Sequence, residues 1–175
     1  MSVNIGIGAG VELYSDEYDD WFLPSKDELN AMYTNLHLES VGSFANNFYW
    51  SSSEATVDAD TNAWYQQFND GQQYDDSKAF TWYVRACRSF TAGEGVYSLR
   101  DSGPAGGLIF YVNGTTYYEA APSDQSSSKA WSNIDDVELA GTGTAIGTGQ
   151  ANTIAIIGQE GHTDSAAKLC NDLVI

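Results

Sequence analysis

The stretch Asp19-Asp20-Trp21-Phe22-Leu23-Pro24-Ser25-Lys26-Asp27-Glu28-Leu29 constrains the fold more than any other. Pro24 bars a helix from forming through the residue before it. Ser25 is a good N-cap, and Glu28 three residues on completes a capping box. Leu29, Met32, Tyr33 and Leu36 then recur at i, i+3, i+4 and i+7, one apolar helical stripe. The spacing predicts a helix over about Ser25 to His37 that buries this stripe. No catalytic motif lies in the stretch; it is a folding signature.

The rest of the chain reads mostly as short strands. The start is Gly-rich, with Val3, Ile5 and Ile7 alternating as in a strand, followed by an acidic turn. Phe48–Glu54 and Ala63–Phe68 read as strands, and Asp70-Gly71 marks a hairpin between the second of these and an acidic edge at Gln72 to Ser77. Phe80–Phe90 reads as one long strand, with Trp82, Val84 and Ala86 on one face and Tyr83, Arg85 and Cys87 on the other. A polar linker follows over Thr91 to Ser102, and then the character restarts. Gly103–Gly107 turns into a strand at Leu108–Val112, Asn113-Gly114 reads as a type I′ turn, and Thr115–Ala120 returns. Pro122–Lys129 reads as a polar loop and Ala130–Ser132 as a short strand. After a Gly/Thr loop, Gln150–Ile157 reads as a helix burying Ala151, Ile154, Ala155 and Ile157. Thr163 or Asp164 would cap a last helix carrying Ala166, Ala167, Leu169, Cys170 and Leu173.

A chain of 175 residues suits one domain or two small ones, and 42% hydrophobic residues supply a core. With 7 Lys and Arg against 24 Asp and Glu, the net charge is −17. Such a surface repels phosphate backbones and anionic bilayers, so nucleic acid and membrane insertion are set aside as partners. No apolar run is long enough to span a bilayer. The first ten residues lack the basic region of a signal peptide, so an export signal, if the protein is secreted, has been removed or lies elsewhere.

The two histidines, His37 and His162, stand in no hydrolase, metalloprotease or phosphate-loop motif, and the expectation is a protein that is not an enzyme. Calcium is the one cofactor left open. The candidate oxygen ligands are Asn69, Asp70, Asp75 and Asp76, although no EF-hand spacing is present. Trp64, Tyr65, Tyr74 and Trp82 lie around the hairpin and are the candidate ligand-binding residues, because aromatic faces stack on the apolar faces of sugar rings. Packing in the core is the competing role for each. Cys87 and Cys170 could be bonded or be two buried thiols.

Six segments together carry a resemblance. They are Gly103-Pro104-Ala105-Gly106-Gly107-Leu108-Ile109-Phe110-Tyr111, Tyr118-Glu119-Ala120-Ala121-Pro122, Ala166-Ala167-Lys168-Leu169-Cys170, Asp20 to Leu29, Tyr49-Trp50-Ser51-Ser52-Ser53-Glu54 and Val84-Arg85-Ala86-Cys87-Arg88. In combination they resemble the DUF1566 family, or Lcl C-terminal domain, of bacterial surface, secreted and phage-associated proteins. The resemblance implies an α+β, C-type-lectin-like fold, with two helices packed on a small, mostly antiparallel, loop-rich sheet. It also implies adhesion or glycan binding at an extracellular, cell-surface or virion location, and a disulfide from the helical Cys170 to the strand at Cys87.

The segments stand in permuted order. Residues 19–90 resemble the second half of the family's domain and 103–175 the first half, joined by 91–102 and preceded by 1–18. Three arrangements are open: closure of the halves within one chain, completion of one subunit's half by the next, or a piece of tandem repeats. The roughly 12-residue linker reaches about 40 Å, enough for either of the first two. Completion between subunits is a head-to-tail contact that does not close, so it builds a filament. The leading expectation is therefore a self-assembling structural or adhesive polymer, with Val3, Ile5, Ile7, Trp21 and Ile175 at the assembly contact. The alternative is a discrete glycan-binding adhesin or tail-fibre tip, monomeric or trimeric.

Overall fold

In the computed structural model, which describes residues 17–175, Ser25 caps α1 (Lys26–Met32). The Ser25 side chain accepts from the Glu28 N–H, and Glu28 Oε2 accepts from the Ser25 N–H at 2.7 Å, so both halves of the capping box form. The helix continues as a π-helical turn over Tyr33–His37. Leu29, Met32 and Leu36 are fully buried, so the apolar stripe faces the core.

Eight strands follow: β1 (Phe48–Glu54), β2 (Asn62–Gln67), β3 (Gln73–Ser77), β4 (Thr81–Val84), β5 (Cys87–Thr91), β6 (Leu108–Asn113), β7 (Thr116–Ala120) and β8 (Ser126–Ala130). Two short helices close the chain, α2 (Gly149–Ile157) and α3 (Ala166–Asn171). The strands form a five-stranded sheet in the order β3-β2-β1-β4-β8 and a three-stranded sheet in the order β5-β7-β6. The class is α+β with few helices, and all pairings are antiparallel except β1 with β4. No helix among the described residues is long and apolar enough to cross a membrane.

The segment expected as one long strand, Phe80–Phe90, is divided between the two sheets as β4 and β5. The break falls at Arg85 and Ala86. The Arg85 side chain is buried and bonds to Asp124, Ala121 O and Gly42 O, while the Ala86 N–H donates to Gln125 Oε1. The alternation nevertheless sorts as the residues demand. Trp82, Val84 and Ala86 join a core with Trp50, Tyr65, Trp131, Ala167 and Cys170. Tyr83 and Cys87 join a second core with Leu29, Phe68, Phe110 and Tyr118.

Four smaller expectations shift. Asn113 pairs with Thr116, so the hairpin loop is Gly114-Thr115, with Gly114 alone in the left-handed region at φ 59°. The supposed polar loop before Trp131 contains β8, which pairs with β4. Ser165, not Thr163 or Asp164, caps α3. In α2 the buried residues are Gly149, Asn152, Thr153 and Ile156, while Ile154 is 62% exposed. That face is selected by hydrogen bonds. Asn152 bonds to Ser52 Oγ and to both the N–H and C=O of Gly143, and Thr153 Oγ1 accepts from the Leu23 N–H.

The two halves meet within one chain. Tyr18 and Ile175 exchange backbone hydrogen bonds of 2.8 and 3.1 Å. Trp21, expected at an assembly contact between subunits, is 2% exposed and packs in the chain's own core. Each sheet takes strands from both halves: β8 extends β4, and β7 pairs with β5. Residues 91–102 lie against the second half, with Arg100 N–H donating to Ile109 O and Tyr97 meeting Tyr117 edge to face. Val3, Ile5 and Ile7 fall outside the described residues.

Polar staples secure this seam. Lys78 Nζ, fully buried, bonds Glu54 at 2.6 Å and also the carbonyls of Ala59, Asp60 and Val137, while Glu54 accepts from the Leu139 N–H. Arg88 bonds Asp20 on one side and Glu119 on the other, and Glu119 accepts from the N–H groups of Ala105 and Gly107. The indole N–H groups of Trp50 and Trp131 donate across the seam to Lys129 O and Ser51 O. Glu28 serves twice, since Oε1 also accepts from the Gly147 N–H just before α2. A Cβ on Gly149 would come within 2.2 Å of that carboxylate, so only glycine lets α2 start there.

The expected disulfide is absent. Cys87 and Cys170 are both buried free thiols, Cys87 in the core with Leu29 and Cys170 in the core with Trp131. Burial pushes both thiols far above the ordinary cysteine range, so each behaves as a small apolar side chain.

Candidate functional site

The hairpin β2–β3 and its neighbours build an aromatic face. Tyr65 pairs with Trp50 on one side and with Tyr74 on the other, so these three rings share a side of the five-stranded sheet. Phe48 and Trp82 meet edge to face at 5.0 Å between centroids, Tyr65 and Trp82 lie 5.9 Å apart, and Phe80 packs on Trp82 at 5.8 Å. Tyr65 to Tyr74 is 6.2 Å. The result is a continuous row from Tyr74 through Tyr65, Phe48 and Trp82 to Phe80.

Burial grades along this row. Trp50 is fully buried and Tyr65 nearly so, Phe48 and Trp82 are half-buried, and Tyr74 and Phe80 at the ends are 48% and 49% exposed. The buried members fix the exposed ones in place. Gln67 and Asp76 follow Tyr65 and Tyr74 by two residues and therefore stand on the same face, adding amide and carboxylate groups beside the rings. The Trp82 indole Nε1 is buried without a hydrogen-bond partner.

Of the four aromatic candidates read from the sequence, the structure brings Tyr65, Tyr74 and Trp82 together and separates Trp64. Alternation sends Trp64 to the opposite face, where the Lys26 ammonium lies 3.5 Å from its ring centroid. Lys26 of α1 thus lies over the half-buried Trp64 ring, on the side of the sheet away from the row. Phe48 and Phe80 complete the row and were missed. Their signal was the i, i+2 spacing of Phe48 with Trp50 and of Phe80 with Trp82, which strand alternation places on one face.

The calcium candidates do not converge. Asp70 accepts from the Gln72 N–H inside the hairpin turn, Asp75 accepts from Asn62 Nδ2, and Asp76 accepts from the Ser77 N–H. Asp75 and Asp76 pair with Trp64 and Ala63 and so point to opposite faces, and Asn69 lies exposed in the turn. Among the described residues no group of three His, Cys, Asp or Glu side chains could hold a metal ion.

All seven basic side chains are already engaged. Lys78, Arg85 and Arg88 are in buried pairs, Lys26 lies on Trp64, and Arg100, Lys129 and Lys168 pair with Glu39, Asp164 and Asp172. Among the described residues every Lys and Arg therefore has a partner, and acidic groups outnumber basic ones. His37 is held in a ring cluster with Tyr33, Phe44 and Phe68, and His162 bonds Ser165 Oγ at the start of α3. Desolvation and the nearby Lys168 lower the His162 pKa against the opposing pull of Asp164. Comparison of the chain with family models, with curated proteins and with solved structures gave no match.

Proposed function

We propose that this protein is a discrete, non-enzymatic recognition module with a permuted C-type-lectin-like fold, acting outside the cell or on a virion surface, and that its aromatic sheet face binds neutral glycans. The observation that carries this reading is the pair Tyr74 and Phe80, each half exposed at the end of a row of rings anchored by buried partners. Pyranose rings present apolar C–H faces that stack on such surfaces, and their hydroxyls would bond the neighbouring Gln67 and Asp76. A net charge of −17 disfavours sulfated or sialylated chains and so selects neutral ones. The resemblance of six segments to the Lcl-type family and the drawing of both sheets from both halves support the lectin-like fold.

The test is affinity electrophoresis and array binding with neutral and acidic polysaccharides, on the parent and on the double variant Tyr74→Ser, Phe80→Ser. Retardation by at least one neutral glycan, lost in the variant, is expected. No neutral binder, or equal binding by the variant, would overturn the reading.

A second reading is the head-to-tail polymer, in which residues 103–175 of one copy complete 19–90 of the next. It draws on the permuted order and on a seam rich in polar bonds that an exchanged copy could remake. The discrete form uses the closure of Tyr18 on Ile175 and the burial of Trp21 within one chain, and the polymer would remake both contacts between chains. Electron microscopy with light scattering separates them: particles of one or three chains support the module, and fibres support the polymer.

A further inference from the structure

Away from the aromatic face, the segment between the π-helical turn and β1 borders a half-open pocket of about 310 Å³ lined by His37, Ser40, Val41, Ser43, Phe44 and Asn46. We propose that this pocket is a second binding site, for a single neutral sugar or polyol residue. The site and its ligand do not depend on the sheet face, so each can fail without the other.

The pocket is built and held rather than left by a loose loop. The π-helical turn ends in His37, and such turns re-aim side chains that a regular helix would place elsewhere. His37 is fixed by stacking on Tyr33 at 5.5 Å and by contact with Phe68 and Phe44. Arg85, buried beneath the segment, donates to Gly42 O and Ser43 O, and its guanidinium lies 4.1 Å from the Phe44 ring centroid. The Ala45 N–H donates to Tyr49 Oη, and that hydroxyl donates to Asp124, the carboxylate that also holds Arg85. Ser40 at φ 59° and Ser43 at φ 52° take left-handed backbone conformations that a non-glycine residue adopts only at a cost, and the clamps beneath supply the restraint.

The chemistry of the lining decides the ligand. The imidazole of His37, the hydroxyls of Ser40 and Ser43 and the amide of Asn46 all border the pocket, and none forms a side-chain hydrogen bond within the described residues. They offer donors and acceptors in mixed order, as a ring of hydroxyls requires. Phe44 and Val41 supply the apolar surface for the C–H side of that ring. No Lys, Arg, Asp or Glu borders the pocket, in a chain with 24 acidic residues. Arg85, which holds the segment from beneath, is already paired with Asp124 at 2.7 Å. An anion would meet an acidic surface with no counter-charge, and a cation would find no carboxylate. An uncharged polyhydroxylated ring matches both the size and the polarity.

The experiment is a titration of isotope-labelled protein with the methyl glycosides of glucose, galactose and mannose, with N-acetylglucosamine, and with N-acetylneuraminate and glucosamine as anionic and cationic controls. Amide signals are followed, and Ser43→Gly, Asn46→Ala is the paired variant. At least one neutral sugar should shift signals of residues 37–46, with a Kd on the order of 1 mM, and leave 74–82 unmoved. The variant should bind at least ten-fold more weakly, and the charged controls should not bind. The proposal is overturned if no neutral sugar produces saturable shifts at 37–46, if the charged controls bind as well, or if the folded variant binds like the parent. Should the variant fail to fold, the shift map on the parent decides alone. Binding that moves only 74–82 would sink the pocket and uphold the sheet face; the converse would do the reverse.

Discussion

The two faces of β2 contrast in what lies over them. On one, Trp64 is roofed by the Lys26 ammonium, Gln66 is buried, and Gln73 reaches across to Lys26 O. On the other, Tyr65 is nearly buried beside Trp50, but the row runs out to Tyr74 and Phe80, each half exposed. Adjacent residues of one strand, Trp64 and Tyr65, thus have separate roles, one as a packing surface for α1 and one as the footing of an open face. An aromatic side chain here is structural or available according to what the rest of the fold places on it. Covered positions should report in stability and open ones in binding.

The largest effect is expected at the covered seam. Glu54→Ala leaves the Lys78 ammonium buried with only carbonyl partners and should cost about 3–5 kcal/mol in denaturant unfolding. A loss under about 1 kcal/mol would mean that this pair is solvated and that the seam is looser than its geometry. Next comes Asn152→Ala, which strips hydrogen bonds from Ser52 and from both backbone groups of Gly143. It should cost about 1–3 kcal/mol by the same measurement.

A subtler effect concerns Glu28. Burial raises its carboxyl above the ordinary range against the lowering pull of the Ser25 and Gly147 N–H groups. The folded chain therefore keeps a proton that the unfolded chain has released, and stability falls as pH climbs from the ordinary carboxylate range through the raised value. Glu28→Gln removes that dependence. Melts between about pH 4 and pH 7 should show the variant gaining on the parent as pH rises, and a constant difference would refute the assignment. The smallest effect on stability is expected on the open face. Tyr74→Ser and Phe80→Ser should each change unfolding by under about 0.5 kcal/mol while abolishing glycan retardation. A large stability loss there would erase the distinction between the two faces.

Much of the local structure was legible. The capped helix at Ser25, the strand at Phe48–Glu54 and the hairpin at Asp70-Gly71 all rest on signals within a few residues. Strand alternation also sorted Trp82, Val84 and Ala86 from Tyr83 and Cys87, even though the strand itself breaks at Arg85. What failed depended on distant partners. The buried face of α2 was misjudged because Asn152 and Thr153 bond to Ser52, Gly143 and Leu23, and a hydrophobicity pattern cannot register that. Trp64 was grouped with Tyr65 because proximity in sequence hides the opposite directions of successive strand residues.

By itself the sequence determined most of the elements, the acidic surface and the order of the segments, because caps, turns and alternation act over short range and charge is a sum. Tertiary structure alone decided which strands of the two segment groups share a sheet, that both thiols are buried and unbonded, and which rings remain uncovered. Those outcomes follow from burial and hydrogen bonding between residues tens to more than a hundred positions apart, such as Leu23 with Thr153 and Tyr18 with Ile175. No local pattern encodes which of several compatible partners a buried polar group will meet.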